Sequence, residues 1–269
     1  MKALIPAAGM GTRFMPYTKT VCKEMIMLVD KPVIQYVVEE GLSSGADEVV
    51  IINGPDKKLI EEHFSPNPEL VKTLRDAGKD AYADAVEHAG NLKVSYVYQT
   101  YPRGLGDAVH TAASKTKDEP FFVLLGDVVV PDNRICERLK EVSEAHGNAS
   151  VLAVLPVPED MISRFGIVGG KETEPGVIKI DTMVEKPKPE DAPSNLSIFG
   201  RYLFTPRIQE ILAHTKPGVG GEIQLTDAMI ELLGEEDMYA VVIDENDGYD
   251  VGTVDTWAKT NAVLFAERK

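Results

Sequence analysis

The stretch Ala3-Leu4-Ile5-Pro6-Ala7-Ala8-Gly9-Met10-Gly11-Thr12-Arg13 decides the fold. Its first four residues are an apolar run of the length that suits a strand buried on both faces. The glycines that follow let backbone N–H groups come close to a phosphate. The rest of the chain keeps the same rhythm. Pro32 suits the first turn of a helix whose buried face is Val33, Ile34, Val37, Val38 and Leu42, and Gly45 closes it. Strands are predicted over 3–6, 48–52, 92–98, 121–125 and 150–157. Helices are predicted over 68–90, 106–114 and 132–146, with Leu70, Val71 and Leu74 of the first turned inward. Such alternation predicts a parallel sheet flanked by helices.

Beyond Pro158 the rhythm changes. Segments 165–170, 177–184 and 196–204 read as strands without full helices between them, which predicts an antiparallel addition to the sheet. Helices return over 206–214 and 222–233, a strand over 239–243, and a last helix from Asp255. The fold expected is α/β: a Rossmann-like three-layer architecture with a mixed, mainly parallel central sheet and a small antiparallel addition. No Gly/Ser-rich linker interrupts the 269 residues, so a single unit over 1–269 is expected. Its two parts should span about 1–150 and about 151–269.

The chain carries 43 acidic and 28 basic side chains, a formal charge of −15, which excludes general binding to nucleic acid and disfavours an anionic membrane surface. The excess is uneven. Residues 1–31 hold five basic groups against two acidic ones, whereas 229–250 hold eight acids and no base. A small polyanion held at one basic loop remains compatible with that pattern. Two cysteines, Cys22 and Cys136, cannot build a disulfide scaffold and are expected as free thiols. No apolar run approaches the ~18 residues of a membrane helix. The apolar N-terminus is cut by Gly9, Gly11 and Arg13, so no signal peptide is read and a cytoplasmic location is expected. The five histidines have no metal-ligand spacing and are expected mostly at the surface, with none in catalysis. Nucleophile motifs of the Gly-x-Ser-x-Gly kind are absent from the sequence.

Three phosphate-binding loops compete for 9–13. The dinucleotide fingerprint requires a third glycine, and Phe14 stands in its place; the P-loop pattern fits nowhere. The pattern Gly9-x-Gly11-Thr12-Arg13, followed by Lys23-Glu24-Met25, resembles that of sugar-nucleotide nucleotidyltransferases. Arg13 supplies a bidentate fork and Lys23 a point charge, a suitable pair for a triphosphate. The likeness extends through Lys19, Val29-Asp30-Lys31-Pro32-Val33-Ile34-Gln35-Tyr36-Val37, Gln99, Gly104-Leu105-Gly106 and Gly126-Asp127. It continues with Phe165-Gly166-Ile167-Val168, Val184-Glu185-Lys186-Pro187, Gly200-Arg201-Tyr202, Gly221-Glu222-Ile223-Gln224-Leu225-Thr226-Asp227-Ala228 and Tyr249-Asp250-Val251-Gly252. In order and content these blocks resemble the bacterial UTP–glucose-1-phosphate uridylyltransferase branch of that family over nearly the whole chain.

The resemblance implies attack of a sugar-1-phosphate oxygen on the α-phosphorus of UTP, with pyrophosphate leaving in line. Positioning and charge neutralisation carry such a reaction. Asp127, at the end of an apolar strand where open α/β sheets place ligands, is well sited for Mg²⁺. Asp250 matches the family's second metal aspartate. Arg13, Lys23 and Lys186 match catalytic positions. The nucleotide would be held by Ala8, Gly9, Gly11, Thr12, Arg13, Gln99 and Gly104. The carboxamide of Gln99 both donates and accepts, as a pyrimidine edge requires. Glucose 1-phosphate would be held by Gly166, Glu185, Lys186 and Gly200, the last of which also suits a strand bulge. Glu222 and Asp227 match a block near the sugar or bracing the site, and each equally suits a plain helix start.

Cys22 replaces the proline usual before Lys-Glu-Met, which predicts a less stiff loop, and Val128 replaces a second aspartate. Asp107 carries no assignment. Relatives imply a homo-oligomer, dimer or tetramer. A related thymidylyltransferase, a catalytically weak regulatory paralog and a dinucleotide-binding oxidoreductase remain alternatives on sequence alone.

Overall fold

The computed structural model describes residues 1–267. The first half of the chain runs β1 (Lys2–Pro6), a hairpin of β2 (Met27–Leu28) and β3 (Lys31–Pro32), α1 (Val33–Ser43), β4 (Glu48–Asn53), α2 (Lys58–His63), α3 (Pro68–Asp76), α4 (Asp80–Asn91), β5 (Val94–Tyr98), α5 (Leu105–Thr111), β6 (Phe121–Leu124), β7 (Val128–Val129) and α6 (Arg134–Ala145). The second half runs β8 (Ser150–Pro156), β9 (Gly166–Glu174), β10 (Val177–Glu185), β11 (Leu196–Phe204), α7 (Arg207–Leu212), α8 (Leu225–Leu233), β12 (Met238–Val242), β13 (Tyr249–Asp250) and α9 (Val254–Glu267).

Nine strands form one mixed sheet in the order β5-β4-β1-β6-β11-β8-β12-β10-β9. The first four are parallel. β11 runs against both β6 and β8, and β12 runs with β8. The β9–β10 hairpin is antiparallel, and β9 also pairs with the start of β11, so that end of the sheet folds back on itself. This is the antiparallel addition expected from the strand rhythm after Pro158.

Alternation along the strands makes the layers. Ala3 and Ile5 of β1 pack with Ile34, Val37 and Val38 of α1 and Leu139 of α6. Leu4, on the opposite face, packs with Val109 of α5, Ile211 of α7 and Met229 of α8. Phe122 and Phe121 of β6 divide in the same way. A strand buried on both faces must be apolar throughout, which is why β1, β4 and β6 are readable in the sequence.

One expected helix is two. Segment 68–90 breaks at Gly78, whose φ of +67° costs a glycine little and ends α3. Leu70 of α3 is exposed rather than inward, and no residue of that helix is buried. Its periodic apolar stripe packs on the neighbouring helix α4 instead of on the sheet. The helix expected from 222 starts only at Leu225, because Glu222 and Gln224 are extended.

Connectivity places the crevice. From β1 the chain winds outward through β4 to β5 and then returns to β6 on the other side of β1. Loops leaving the carboxyl ends of β1 and β6 therefore diverge, and open sheets bind ligands at such a switch point.

Candidate active site

β1 delivers Ala7 to Gly9 and β6 delivers Gly126 and Asp127 to that crevice. Lys23 lies in a short helical turn, Lys23–Met25, and its Nζ is 2.7 Å from Asp127 Oδ2. Burial alone would raise the Asp127 carboxyl, but the ammonium of Lys23, with Arg13 nearby, holds it below the ordinary aspartate value. Burial likewise works against the Lys23 charge and is outweighed by Asp127 and Glu24, so its pKa is raised. Asp250 arrives from far along the chain. β13 pairs with β7 so that Asp250 faces Val128, and the Val251 N–H donates to the Asp127 carbonyl at 2.8 Å. Gly252 N donates to Asp250 Oδ1 at 2.6 Å.

A methyl group on Gly252 would sit 2.9 Å from Asp250 Oδ1, 3.2 Å from Asp127 Oδ2 and 3.4 Å from Arg13 Nη1. Two carboxylates and a guanidinium thus converge on a space that glycine keeps open. Burial raises the Asp250 carboxyl above its ordinary value; the Gly252 N–H opposes this and the Asp127 charge adds to it. Paired carboxylate oxygens are the donors a hard cation such as Mg²⁺ prefers. Among the described residues no group of three or more His, Cys, Asp or Glu gathers around one point. A metal here would therefore draw its other ligands from substrate oxygens and water.

On one side of Asp127 lies a cavity of about 280 Å³ that Ala8, Gly9, Lys23, Gln99 and Gly104 help to line. Gln99 follows β5 and is buried. Gly104 has a φ of +112°, and a side chain there would come within 2.5 Å of the Ile223 carbonyl. That close approach has a purpose. Ile223 N donates to Arg103 O at 2.8 Å and Gly106 N donates to Ile223 O at 2.9 Å, so the 222–224 segment clamps the loop 103–106. Glu222 lines this cavity, while Asp227 lies against Gly218, its carboxyl raised by burial and by Glu185.

Lys57 carries no signal in the sequence, yet it fixes the glycine loop. Its Nζ donates to Gly9 O at 2.6 Å, to Ala7 O, and to the buried Glu24 carboxylate at 2.9 and 3.0 Å. Gly11 and Thr12 do not line this cavity. Gly11 takes a φ of +65° at the head of the turn Thr12–Phe14, and its carbonyl accepts from Thr18 Oγ1 at 2.8 Å. Gly11 thus shapes the turn that carries Arg13. Cys22, with φ −64° and ψ 146°, has a backbone conformation that a proline would also adopt. Burial pushes its thiol up to about 11, far from a reactive thiolate, and Cys136 is also free.

Asp127 also lines a second cavity, of about 780 Å³, together with Arg13 and Asp250 and with Gly166, Glu185 and Lys186. The two cavities share Leu105, Leu125 and Asp127 as walls. Gly166 of β9 is in register with Glu185 of β10. A side chain at 166 would stand 3.2 Å from Glu185 Oε2 and 3.3 Å from Thr226 Oγ1, which itself donates to Glu185 Oε2 at 2.8 Å. Lys186 takes a φ of +46°, uncommon for a side-chain-bearing residue, with its N–H on Phe165 O at 3.1 Å and its Nζ 3.0 Å from Glu185 Oε1.

Gly200 does not line either cavity. It has a φ of +85° where the β11–β8 register shifts, and a side chain there would meet Leu125 at 2.8 Å. It is the strand bulge, one wall behind the site. Its neighbour Arg201 is fully buried and grips Glu40 through two 2.7 Å contacts, donating also to Leu125 O at 3.3 Å and Val128 O at 2.8 Å. Arg201 therefore anchors the chain on both sides of Asp127. An arginine inside an otherwise apolar strand was the available signal for such a buried pair. The histidines keep out of both cavities, but His63, His110 and His146 are half-buried rather than superficial, His146 packing on Tyr239.

A family model described as nucleotidyl transferase matches residues 2–266. The chain belongs to that family. This nucleotidyltransferase is 43% identical over 265 residues to the UTP–glucose-1-phosphate uridylyltransferase of Streptococcus pneumoniae serotype 4, covering 97% of this chain and 88% of the relative. It is also 43% identical to that of Streptococcus pyogenes, over 97% of this chain and 87% of the relative. Among solved structures it is similar to an apo UDP-glucose pyrophosphorylase, with a TM-score of 0.92 at 36% identity over 100% of this chain and 99% of that one. A UTP-bound enzyme from Acinetobacter baumannii gives a TM-score of 0.89 at 33% identity, over 99% and 93%. Among the described residues no helix is long and apolar enough to cross a membrane.

Proposed function

We propose that this nucleotidyltransferase transfers the uridylyl group of UTP to glucose 1-phosphate, releasing pyrophosphate, in a Mg²⁺-dependent direct displacement. The observation that carries this reading is the position of Asp127 in the wall common to two cavities. A nucleotide in the smaller and a sugar phosphate in the larger would bring their phosphates together beside one carboxylate pair. The relatives named for UTP and for UDP-glucose support the choice of substrates.

In this reading Ala8, Gly9, Gln99 and Gly104 receive the base and ribose. Arg13 and Lys23 neutralise the triphosphate, and Lys186 binds the sugar phosphate while Glu185 accepts from sugar hydroxyls. Bound Mg²⁺ would be held by Asp127 and Asp250, and it would supply charge neutralisation where two anions meet. Lys23 would then exchange part of its contact with Asp127 for phosphate oxygen, a short move for a flexible ammonium. No residue need form a covalent intermediate: with the acceptor phosphate oriented by Lys186 and the leaving pyrophosphate neutralised by Arg13 and Lys23, attack in line is a matter of position.

Residues 1–150 and 151–269 would act as nucleotide-binding and sugar-binding parts of one unit, and the nine-stranded sheet running through both favours this. A cytoplasmic homo-oligomer, dimer or tetramer, completes the reading; the exposed Val254 and Val263 on α9 suit a contact between subunits. The test is pyrophosphate release from UTP, dTTP, CTP and ATP against glucose, galactose and mannose 1-phosphates. UTP with glucose 1-phosphate should give the highest kcat/KM. A higher value with dTTP would replace the reading with a thymidylyltransferase, and nucleotide binding with no turnover would replace it with a regulatory protein.

A further inference from the structure

Asp107 is unused by the mechanism above, yet it is buried beside the base cavity. Its Oδ2 accepts from Gln99 Nε2 at 2.7 Å, while its Oδ1 pairs with Arg103 Nη2 at 2.9 Å. The second hydrogen of the same amide nitrogen reaches the Gly104 carbonyl at 3.3 Å. Both donors of the Gln99 carboxamide are therefore taken by protein acceptors. The reversed amide would set Oε1 against a carboxylate and a carbonyl, two groups with nothing to donate, so the orientation is chemically forced. Gln99 lines the cavity, and the atom it has left to offer there is the acceptor Oε1.

We propose that Asp107 is a specificity-determining positioning residue: by locking the Gln99 amide it presents a lone acceptor to the base, and so selects a nucleobase that carries a ring N–H donor. Uracil and thymine carry one at N3. Cytosine offers a lone pair at the same position, which would face Oε1 in mutual repulsion. A free carboxamide could turn over and serve either base, whereas one held by an anion cannot. The selectivity follows from the unfavourable pairing imposed on the wrong base as much as from the favourable one. The inference rests on the proposed nucleotide site, and it deepens that reading by assigning the base selection to a residue that does not touch the base.

The test reads equilibrium binding, so that failure of the turnover assay and failure of this inference remain distinct. Isothermal titration of the wild-type protein with UTP, CTP and 3-methyl-UTP should show UTP bound at least about 10-fold more tightly than either analogue, the loss expected when a buried acceptor meets no donor. In Asp107→Ala the UTP-to-CTP ratio should fall by about 10-fold, mainly through tighter CTP binding, with the thermal unfolding midpoint recorded alongside. Equal affinity of wild type for UTP and 3-methyl-UTP would overturn the proposal without any variant. So would an Asp107→Ala protein that stays folded and keeps the wild-type ratio. A parallel loss for all three nucleotides would assign Asp107 a merely structural role and overturn it too.

Discussion

The residues around Asp127 and those around Glu185 are held in different ways. Around Asp127, ionic contacts fix the charged groups: Lys23 on Asp127, Lys57 on Glu24, and Arg201 on Glu40 just behind. Around Glu185 backbone geometry works beside the ion pair with Lys186. Gly166 leaves room opposite Glu185, and Lys186 is turned by a left-handed φ. The difference follows from what each region has to do. A charge is costly to bury alone, so Lys23 is paired with Asp127, which fixes it in advance. In the proposed function a sugar hydroxyl would demand no such neutralisation, only a carboxylate at the right place, and the facing strands β9 and β10 hold Glu185 there.

Breaking the ionic frame should therefore hurt more than loosening the backbone one. Lys57→Met removes the strut under Ala7 and Gly9 and leaves Glu24 buried without its partner. We expect kcat/KM for UTP to drop by about 10- to 100-fold, the range typical for lost supporting partners, with the KM for glucose 1-phosphate little changed. Steady-state kinetics in both substrates check this; a change confined to glucose 1-phosphate would reverse the assignment of the two regions. Lys186→Ala should be milder. Its expected effect is an increase of about 10-fold in the KM for glucose 1-phosphate, from the loss of one charge-assisted contact. Lys186→Gly, which relieves the left-handed backbone, should show the same KM and no lower stability. An effect on UTP alone would contradict that placement.

The smallest effect expected is electrostatic. Burial raises the Asp250 carboxyl above the ordinary 3.8, whereas Lys23 overrides burial and holds Asp127 below it. As pH falls Asp250 should take its proton first, so metal binding should weaken in acid through Asp250 before Asp127 loses its charge. Side-chain carboxyl carbon shifts followed by NMR would show the order, and Asp127 titrating above Asp250 would contradict it.

Legibility in the sequence followed the same division. The parallel half could be read because strands buried on both faces are apolar runs: β1, β4 and β6 lie within a residue of their expected bounds. Arg13, Lys23, Asp127 and Asp250 were found through a motif pattern, and the fold brings them to one place. Lys57 and Glu40 were missed because an ion pair between residues 33 or 161 positions apart leaves no periodic trace. For Gly200 the sequence allows a sugar contact or a strand bulge, and the structure shows it packed against Leu125 at the register shift of β11, since a glycine marks close approach without saying to what. Leu70 misled for a related reason. Helical spacing reveals a stripe, and α3 turns that stripe to its neighbouring helix and to solvent.

The central claim is that transfer occurs at the wall shared by the two cavities, beside Asp127. Its most direct test is Asp127→Asn, a nearly isosteric change, assayed for pyrophosphate release with UTP and glucose 1-phosphate and for binding of each substrate by titration. Turnover should fall by about 10²- to 10³-fold or more, while the fold and the binding of glucose 1-phosphate persist. Near-normal turnover in that variant would contradict the account.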